Sequence, residues 1–450
     1  MLKIVGYLAV VAAFALLPPP VIAQEVAPSP GAEQADAATS ASLPPDVNAM
    51  ILANLPPDAQ SAVSGINAFS VDLYKRTLVP DKNLFLSPAS VSTAMALVYR
   101  GAVGTTGDKL RNVMHYNAAP NAYFRASAPI FASMNFSGNG RMLQTANSIW
   151  IQQGMQLKPD YLADVQSFMK AGLWQTDFQH DHEKSRQDIN AWVASSTHDR
   201  IVDILEPGDL TELTSAVLVN AIYWKARWLQ TFAKDETEPG RFTRLNRSKV
   251  TTPLMHLRTY FSVVERGGVK AIDLPYVGNE ASLVVFLPNS SNGLKKFEQK
   301  VTAEELDTWF SALNAAEPRD TVLTLPKMHL EWRKDLVDTL AAMGAETGIS
   351  GDADFSGIAT FPNPGGDPRA RGLAIKQIIH KSWLDVDEEG AEAAAATAVV
   401  MDIVTTGRRK NQPPPPPPII FRADKPFLLV LRDRRTGLIL FMGRYVGPAE

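Results

Sequence analysis

The chain has 450 residues, 45% of them hydrophobic and 20% charged, with 8 Trp, 19 Phe and a formal net charge of -3. A core large enough to hold a fold without covalent staples is available, and nothing suggests the concentrated basic surface that a nucleic-acid partner demands. Cysteine is absent, which excludes a disulfide framework, a thiolate nucleophile and any Cys-ligated metal site.

Met1-Leu2-Lys3 puts a positive charge ahead of the apolar stretch 4–17, and Val21-Ile22-Ala23 offers small or apolar residues before a cut after Ala23. Residues 1–23 read as a secretory signal peptide, so the mature chain is expected in the extracellular space or periplasm. The apolar stretch is too short to span a bilayer comfortably, and no stable membrane anchor is expected. Residues 24–58 are rich in Ala, Pro, Ser and acidic residues and cannot bury enough apolar surface to offset their ordering, which predicts a tether. Residues 59–450 form the expected globular domain.

Within it, 91–100 reads as a helix opened by Ser87-Pro88 and ended near Gly101, and 185–194 as another. The runs 217–224 and 282–287 are continuous and apolar, as for strands buried on both faces. Leu323-Thr324-Leu325 adds a strand, and 427–431 with 438–442 form a hairpin around Arg434-Arg435-Thr436-Gly437. Phe361-Pro-Asn-Pro-Gly-Gly-Asp-Pro368 is a loop by its turn residues. Six prolines, Pro413 to Pro418, predict a polyproline II spacer of roughly 19 Å outside any sheet. Helices come early and strands late, which indicates α+β rather than alternating units.

One stretch is physically odd. From Gly390 to Val404 helix-favouring alanines run into strand-favouring Val399-Val400 and Ile403-Val404. Taken with period two, Ala391, Ala393, Ala395, Thr397, Val399, Met401 and Ile403 form a face without charge, while Glu392 and Asp402 fall on the other. No proline interrupts it, so every residue can donate to a ladder, and Gly390 tolerates conformations closed to other residues. On pattern alone an Ala-rich helix and a strand with one buriable side are equally good readings.

Resemblance separates them. Glu388-Glu389-Gly390-Ala391-Glu392-Ala393-Ala394-Ala395-Ala396-Thr397 resembles the hinge of the serpin family, with Ala391 in place of the usual Thr or Ser. Asn83-Leu-Phe-Leu-Ser87-Pro88-Ala-Ser90, Asn190-Ala-Trp192, Leu218-Val-Asn220-Ala-Ile-Tyr-Trp-Lys225-Ala-Arg-Trp228, Leu325-Pro-Lys327, His380-Lys381, Asp424-Lys-Pro426-Phe427 and Phe441-Met-Gly443 follow in the family's order. The likeness covers nearly all of 66–448.

It implies a serpin fold with three β-sheets, about nine helices and an exposed reactive-centre loop, here about 388–420. It further implies an irreversible suicide-substrate inhibitor of serine-type, or cysteine, endopeptidases, monomeric and without enzymatic activity of its own. A target protease cuts the loop and forms an acyl-enzyme. The freed arm then enters the central sheet, and fourteen residues at roughly 3.3 Å each carry the protease about 46 Å away. Stored strain is released by the cut. The family's interval from Gly390 places the reactive bond at Val404-Thr405, which suits an elastase- or subtilisin-like target. The loop is longer than usual and contains Arg408 and Arg409, an alternative site for a trypsin-like enzyme. Ser87, Asn220 and His380 are implied as a polar cluster beneath the sheet, with Ser and Asn supplying partners for both ring nitrogens of the His. Trp228 is implied where insertion begins, and Glu388 as the hinge acid.

Two rivals remain. No Gly-x-Ser-x-Gly, His-Glu-x-x-His or phosphate loop supports a hydrolase. His180-Asp-His182-Glu could in principle hold a metal but reads as a polar loop, so neither metal nor cofactor is expected. The other rival is a serpin-fold binding or carrier protein that inhibits nothing; the small residues of the hinge argue against it. Asn135-Phe-Ser137 is a formal glycosylation sequon.

Overall fold

The computed structural model describes residues 55–138, 140–169, 172–349, 353–360, 373–391 and 416–448. The stretch read as a signal peptide, nearly all of the expected tether, the loop at 361–368 and most of the expected reactive-centre loop lie outside them. Among the described residues the expected three sheets are found, with a two-stranded pair besides. Eleven α-helical segments accompany them, two being halves of one helix interrupted by the π-turn Ala341–Ala345.

The central sheet runs in the order Met328–Asp335, Ile375–Val386, Gly390–Ala391, Ala216–Arg227, Arg141–Gln152, with Phe136–Gly138 and Gly172–Thr176 sharing the outer edge of the last. A six-stranded sheet holds Leu84–Leu86, Ala281–Pro288 and the hairpin Phe427–Asp433/Ile439–Tyr445. A four-stranded sheet holds Lys249–Phe261, Arg319–Pro326 and the strand Ile419–Arg422 that comes after the prolines.

Strand Ala216–Arg227 shows why a continuous apolar run was needed. Leu218, Ile222, Trp224 and Ala226 face the main core. Val217, Val219 and Ala221 face a second cluster built by Phe178, Ile189 and Val193 of helix Phe178–Ser196. Helix Pro88–Arg100 is buried from Pro88 to Tyr99 and starts at Ser87, whose hydroxyl accepts from the Ser90 N–H. That bond satisfies an otherwise orphaned donor of the first turn.

Two expectations need correction. His180-Asp-His182-Glu is no loop: the helix starts at Phe178, because Asp177 caps it by accepting from His180 N, and only Asp181 bends it. His180 Nδ1 lies 2.9 Å from Asp177 Oδ2, so its ring serves the cap. The first helix, Pro57–Thr77, begins slightly inside the stretch assigned to the tether, because Leu55 and Ala59 reach the core.

Candidate functional site

The site lies along one seam of the central sheet. Strands Ala216–Arg227 and Ile375–Val386 pair directly and in parallel from Ile375↔Ala216 up to Trp383↔Tyr223. Above that, Gly390–Ala391 turns back between them: Ala391 pairs antiparallel with Ala226 on one side and with Val386 on the other. The parallel register that sets His380 beside Asn220 and Trp383 beside Tyr223, continued upward, sets Val386 beside Ala226. The two strands have therefore moved apart sideways around Ala391 without sliding.

The turn that delivers the chain there is built locally. Asp387 Oδ1 accepts from Glu389 N at 2.9 Å and Gly390 N at 3.1 Å, and Asp387 N donates to Gly390 O. An Asp folding its side chain over the next amides is a common turn device. Gly390 has φ +154°, and a Cβ there would stand 2.0 Å from the Ala226 carbonyl oxygen. Only glycine fits. Ala391 is fully buried in the main core, as the uncharged-face reading requires of its first residue.

Trp228 anchors the same corner. Its backbone N–H donates to Glu389 O at 2.8 Å and its indole Nε1 to Asp387 O at 2.9 Å. The ring stacks on Tyr276 at 4.5 Å. Glu388 is buried; its carboxylate accepts from Thr237 Oγ1 at 2.8 Å and pairs with Lys327 Nζ at 2.9 Å. Burial disfavours the Glu388 charge, yet the bonds from Lys327 and Thr237 outweigh it and hold the carboxyl below its usual range. Glu389 pairs with Lys234 at 2.5 Å.

Lower in the seam, His380 is wholly buried. Its Nε2 accepts from the backbone N–H of Ser87 at 3.1 Å, which leaves the ring proton on Nδ1, 2.5 Å from Asn220 Oδ1. Asn220 Nδ2 donates to Ser90 O, to Ser90 Oγ at 2.6 Å and to Asn147 Oδ1. Desolvation pushes the His380 pKa down to about 3, so the ring is neutral at ordinary pH.

Ser87, Asn220 and His380 thus meet in one cluster. The imidazole is held by the Ser87 backbone, while the Ser87 hydroxyl donates to Leu440 O and caps the helix. The backbone N–H is free to do this because it precedes the first helical turn. Asn147, Ser90, Asp387, Lys327 and Thr237 went unassigned in the sequence. Asp387 could have been found from the spacing Asp387-Glu-Glu-Gly390; the rest depend on distant strands. Glu392 to Thr397, Val404, Thr405, Arg408 and Arg409 lie outside the described residues. Among the described residues no group of three or more His, Cys, Asp or Glu is placed to hold a metal.

A buried neutral histidine lies across the parallel seam, and a glycine turn is seated at its mouth. The family model for serpins (serine protease inhibitors) matches residues 64–448. Human leukocyte elastase inhibitor is 34% identical over 376 residues, covering 82% of this chain and 94% of its own. Of the solved structures, an Arabidopsis serpin in its native stressed conformation aligns with a TM-score of 0.73 at 27% identity, over 87% of this chain and 99% of its own. Human thyroxine-binding globulin complexed with thyroxine aligns with a TM-score of 0.74 at 27% identity, over 87% of this chain and 100% of its own. The chain belongs to the serpin family. Its fold is the serpin fold, in a family composed mostly of protease inhibitors rather than enzymes.

Proposed function

We propose that this chain is an exported inhibitor that traps serine-type endopeptidases, elastase- or subtilisin-like ones first, as covalent acyl-enzymes. The observation that carries the reading is the seating of Gly390–Ala391. The hinge is started between two strands that, just below it, pair with each other.

On this reading the arm follows the register of Ala391 after a cut. Continued one residue at a time, Ala393 enters between Trp224 and Leu384, Ala395 between Ile222 and Ser382, and Thr397 between Asn220 and His380. The alternate residues Ala391, Ala393, Ala395 and Thr397 share the core face. Each inserted residue can join ladders on both sides, antiparallel to both, where the closed seam has a single parallel ladder. The His380–Asn220 bond is the central polar link that must part as the arm passes. Both residues have further partners on their own sides, Ser87 for His380 and Ser90 with Asn147 for Asn220. The gate therefore opens without stranding either group completely. The protease supplies the nucleophile; this chain supplies the bait bond, placed at Val404-Thr405, and the arm.

An SDS-resistant band with an active elastase- or subtilisin-like protease tests the reading. The expected result is a covalent complex; loop cleavage without a complex across elastase-, subtilisin- and trypsin-like enzymes would refute it. The likeness to thyroxine-binding globulin favours a second reading, a binding or carrier protein, and that reading requires the second outcome.

A further inference from the structure

Below the hinge the seam is already parted for a short distance. Strands Ala216–Arg227 and Ile375–Val386 pair with each other only up to Trp383↔Tyr223, and Ala391 sits between Val386 and Ala226. At the two levels in between, Leu384 with Trp224 and Asp385 with Lys225, the strands are not paired to each other. Leu384 and Trp224 are buried in the main core. Side chains alternate along a strand, so Asp385 and Lys225 stand on the outer face of this slot.

The two walls of the slot differ in charge and in occupancy. Asp385 is taken: its Oδ1 lies 2.5 Å from Nδ1 of His329, on the edge strand beyond. Lys225 is half-buried, and its ammonium meets no acceptor among the described residues. The nearby lysines are engaged. Lys381 pairs with Glu331 at 2.9 Å, Lys234 with Glu389 at 2.5 Å and Lys327 with Glu388 at 2.9 Å. The Arg227 side chain lies against Gly140, beside strand Arg141–Gln152 and away from the seam.

Ala391 has its side chain in the core, so a strand continued from it turns its next residue outward, at the level of Lys225 and Asp385. In the sequence that residue is Glu392, the only acid from Ala391 to Met401. A carboxylate that enters a sheet is costly without a counter-charge.

We infer that Lys225 is the positioning residue that receives the first charge of the arm, through an ion pair with Glu392 formed at the first step of insertion. The inference deepens the strand-insertion reading above and rests on it. The bond to His329 holds Asp385 away from the same carboxylate. Lys225 has no described partner to give up, so the pair counts toward the inserted state, and an interaction made this early speeds entry.

Lys225→Glu, Glu392→Lys, the two combined, and Lys225→Arg test it against the natural chain. Two readouts are taken on the full chain: melting before and after a nick within residues 404–415 by a non-target protease, and the ratio of covalent complex to cleaved chain with an elastase- or subtilisin-like protease. Uncut melting should be alike in all five, a result that a merely structural Lys225 would not give. Each single reversal should lower the melting point of the nicked form and cut the complex-to-cleaved ratio about threefold, the scale of a partly exposed ion pair turned to repulsion. The combined reversal should restore both readouts, and Lys225→Arg should leave them intact. Salt of about 1 M should shrink the differences. If Lys225→Glu does not fold, Lys225→Met and Glu392→Gln decide, since their combined loss should equal either single loss. Reversals without effect on either readout, or a combined variant as poor as both single losses together, would overturn the assignment. A nicked natural chain that melts no higher than the uncut one would instead overturn strand insertion, and this inference with it. A raised and charge-dependent melting point without any covalent complex would support the ion pair and strike only the inhibitory reading.

Discussion

Asn220 Oδ1 and His380 Nδ1 face each other at 2.5 Å across the parallel stretch of the seam, and both residues are buried. A neutral imidazole is the condition for the bond on the other ring nitrogen, since His380 Nε2 must stay unprotonated to accept from Ser87 N–H.

The His380 contribution to stability is therefore expected to depend on pH in one direction. The folded pKa, about 3, lies below the ordinary 6.5 of an unfolded His, so the unfolded chain takes up the proton first as pH falls. Stability is full above about pH 6.5 and declines toward pH 3, with about 2 kcal/mol lost from this group by pH 5. Urea unfolding at pH 7 and pH 5 should show that loss in the natural sequence, and His380→Gln should remove most of the difference.

Gly390→Ala places a methyl group 2.0 Å from the Ala226 carbonyl oxygen at a φ of +154°. The start of the hinge should leave its seat. Protease challenge should then give mostly cleaved chain rather than complex, with the stoichiometry of inhibition rising severalfold. Titration of residual protease activity measures this directly.

Lys327→Met removes the ion pair to Glu388 and leaves a buried carboxylate with Thr237 alone. Because Lys327 is 41% exposed, the loss should be modest, about 1 kcal/mol. The Glu388 pKa is lowered in the folded chain, so its stabilising share exists above the ordinary glutamate range and disappears as pH falls through the folded value. The variant should lack that acid-side decline. Thermal melts between pH 3 and pH 7 compare the two chains.

On the insertion reading, Ala393→Arg puts a long charged side chain on the face of the entering arm that would meet Trp224 and the main core. Burying an unpaired guanidinium there is strongly unfavourable. The uncut protein should be nearly unaffected, while complex formation should fall by at least tenfold in favour of plain cleavage. Unchanged trapping on an SDS gel would contradict the register.

The strand at 216–227 was legible because burial on both faces writes an unbroken apolar run, and the hairpin around Arg434–Gly437 because turn residues separate two such runs. The seam was legible through the family resemblance alone. Nothing near His380 tells that Asn220 stands beside it in parallel, because that pairing joins strands separated by a long stretch of chain. The Ser87 assignment named the residue without its group: the bond uses a backbone N–H that nearly any residue would carry, and no side-chain pattern displays it. The start of helix Phe178–Ser196 was hidden by its polarity, since His180 to Lys184 carry no apolar stripe and the capping Asp177 looks like any loop acid. Lys327 was quoted within a motif, but its pairing with Glu388 depends on the two strand ends meeting in space.

On the trapping reading, the closed seam holds energy which a nick lets go. Thermal melting of the chain before and after cleavage within residues 392–415 by a non-target protease measures it most directly. A rise of many degrees in the nicked form, with the two fragments still associated, is the expected result. Coincident melting curves would mean that no arm had entered the sheet, and the trapping account would fail.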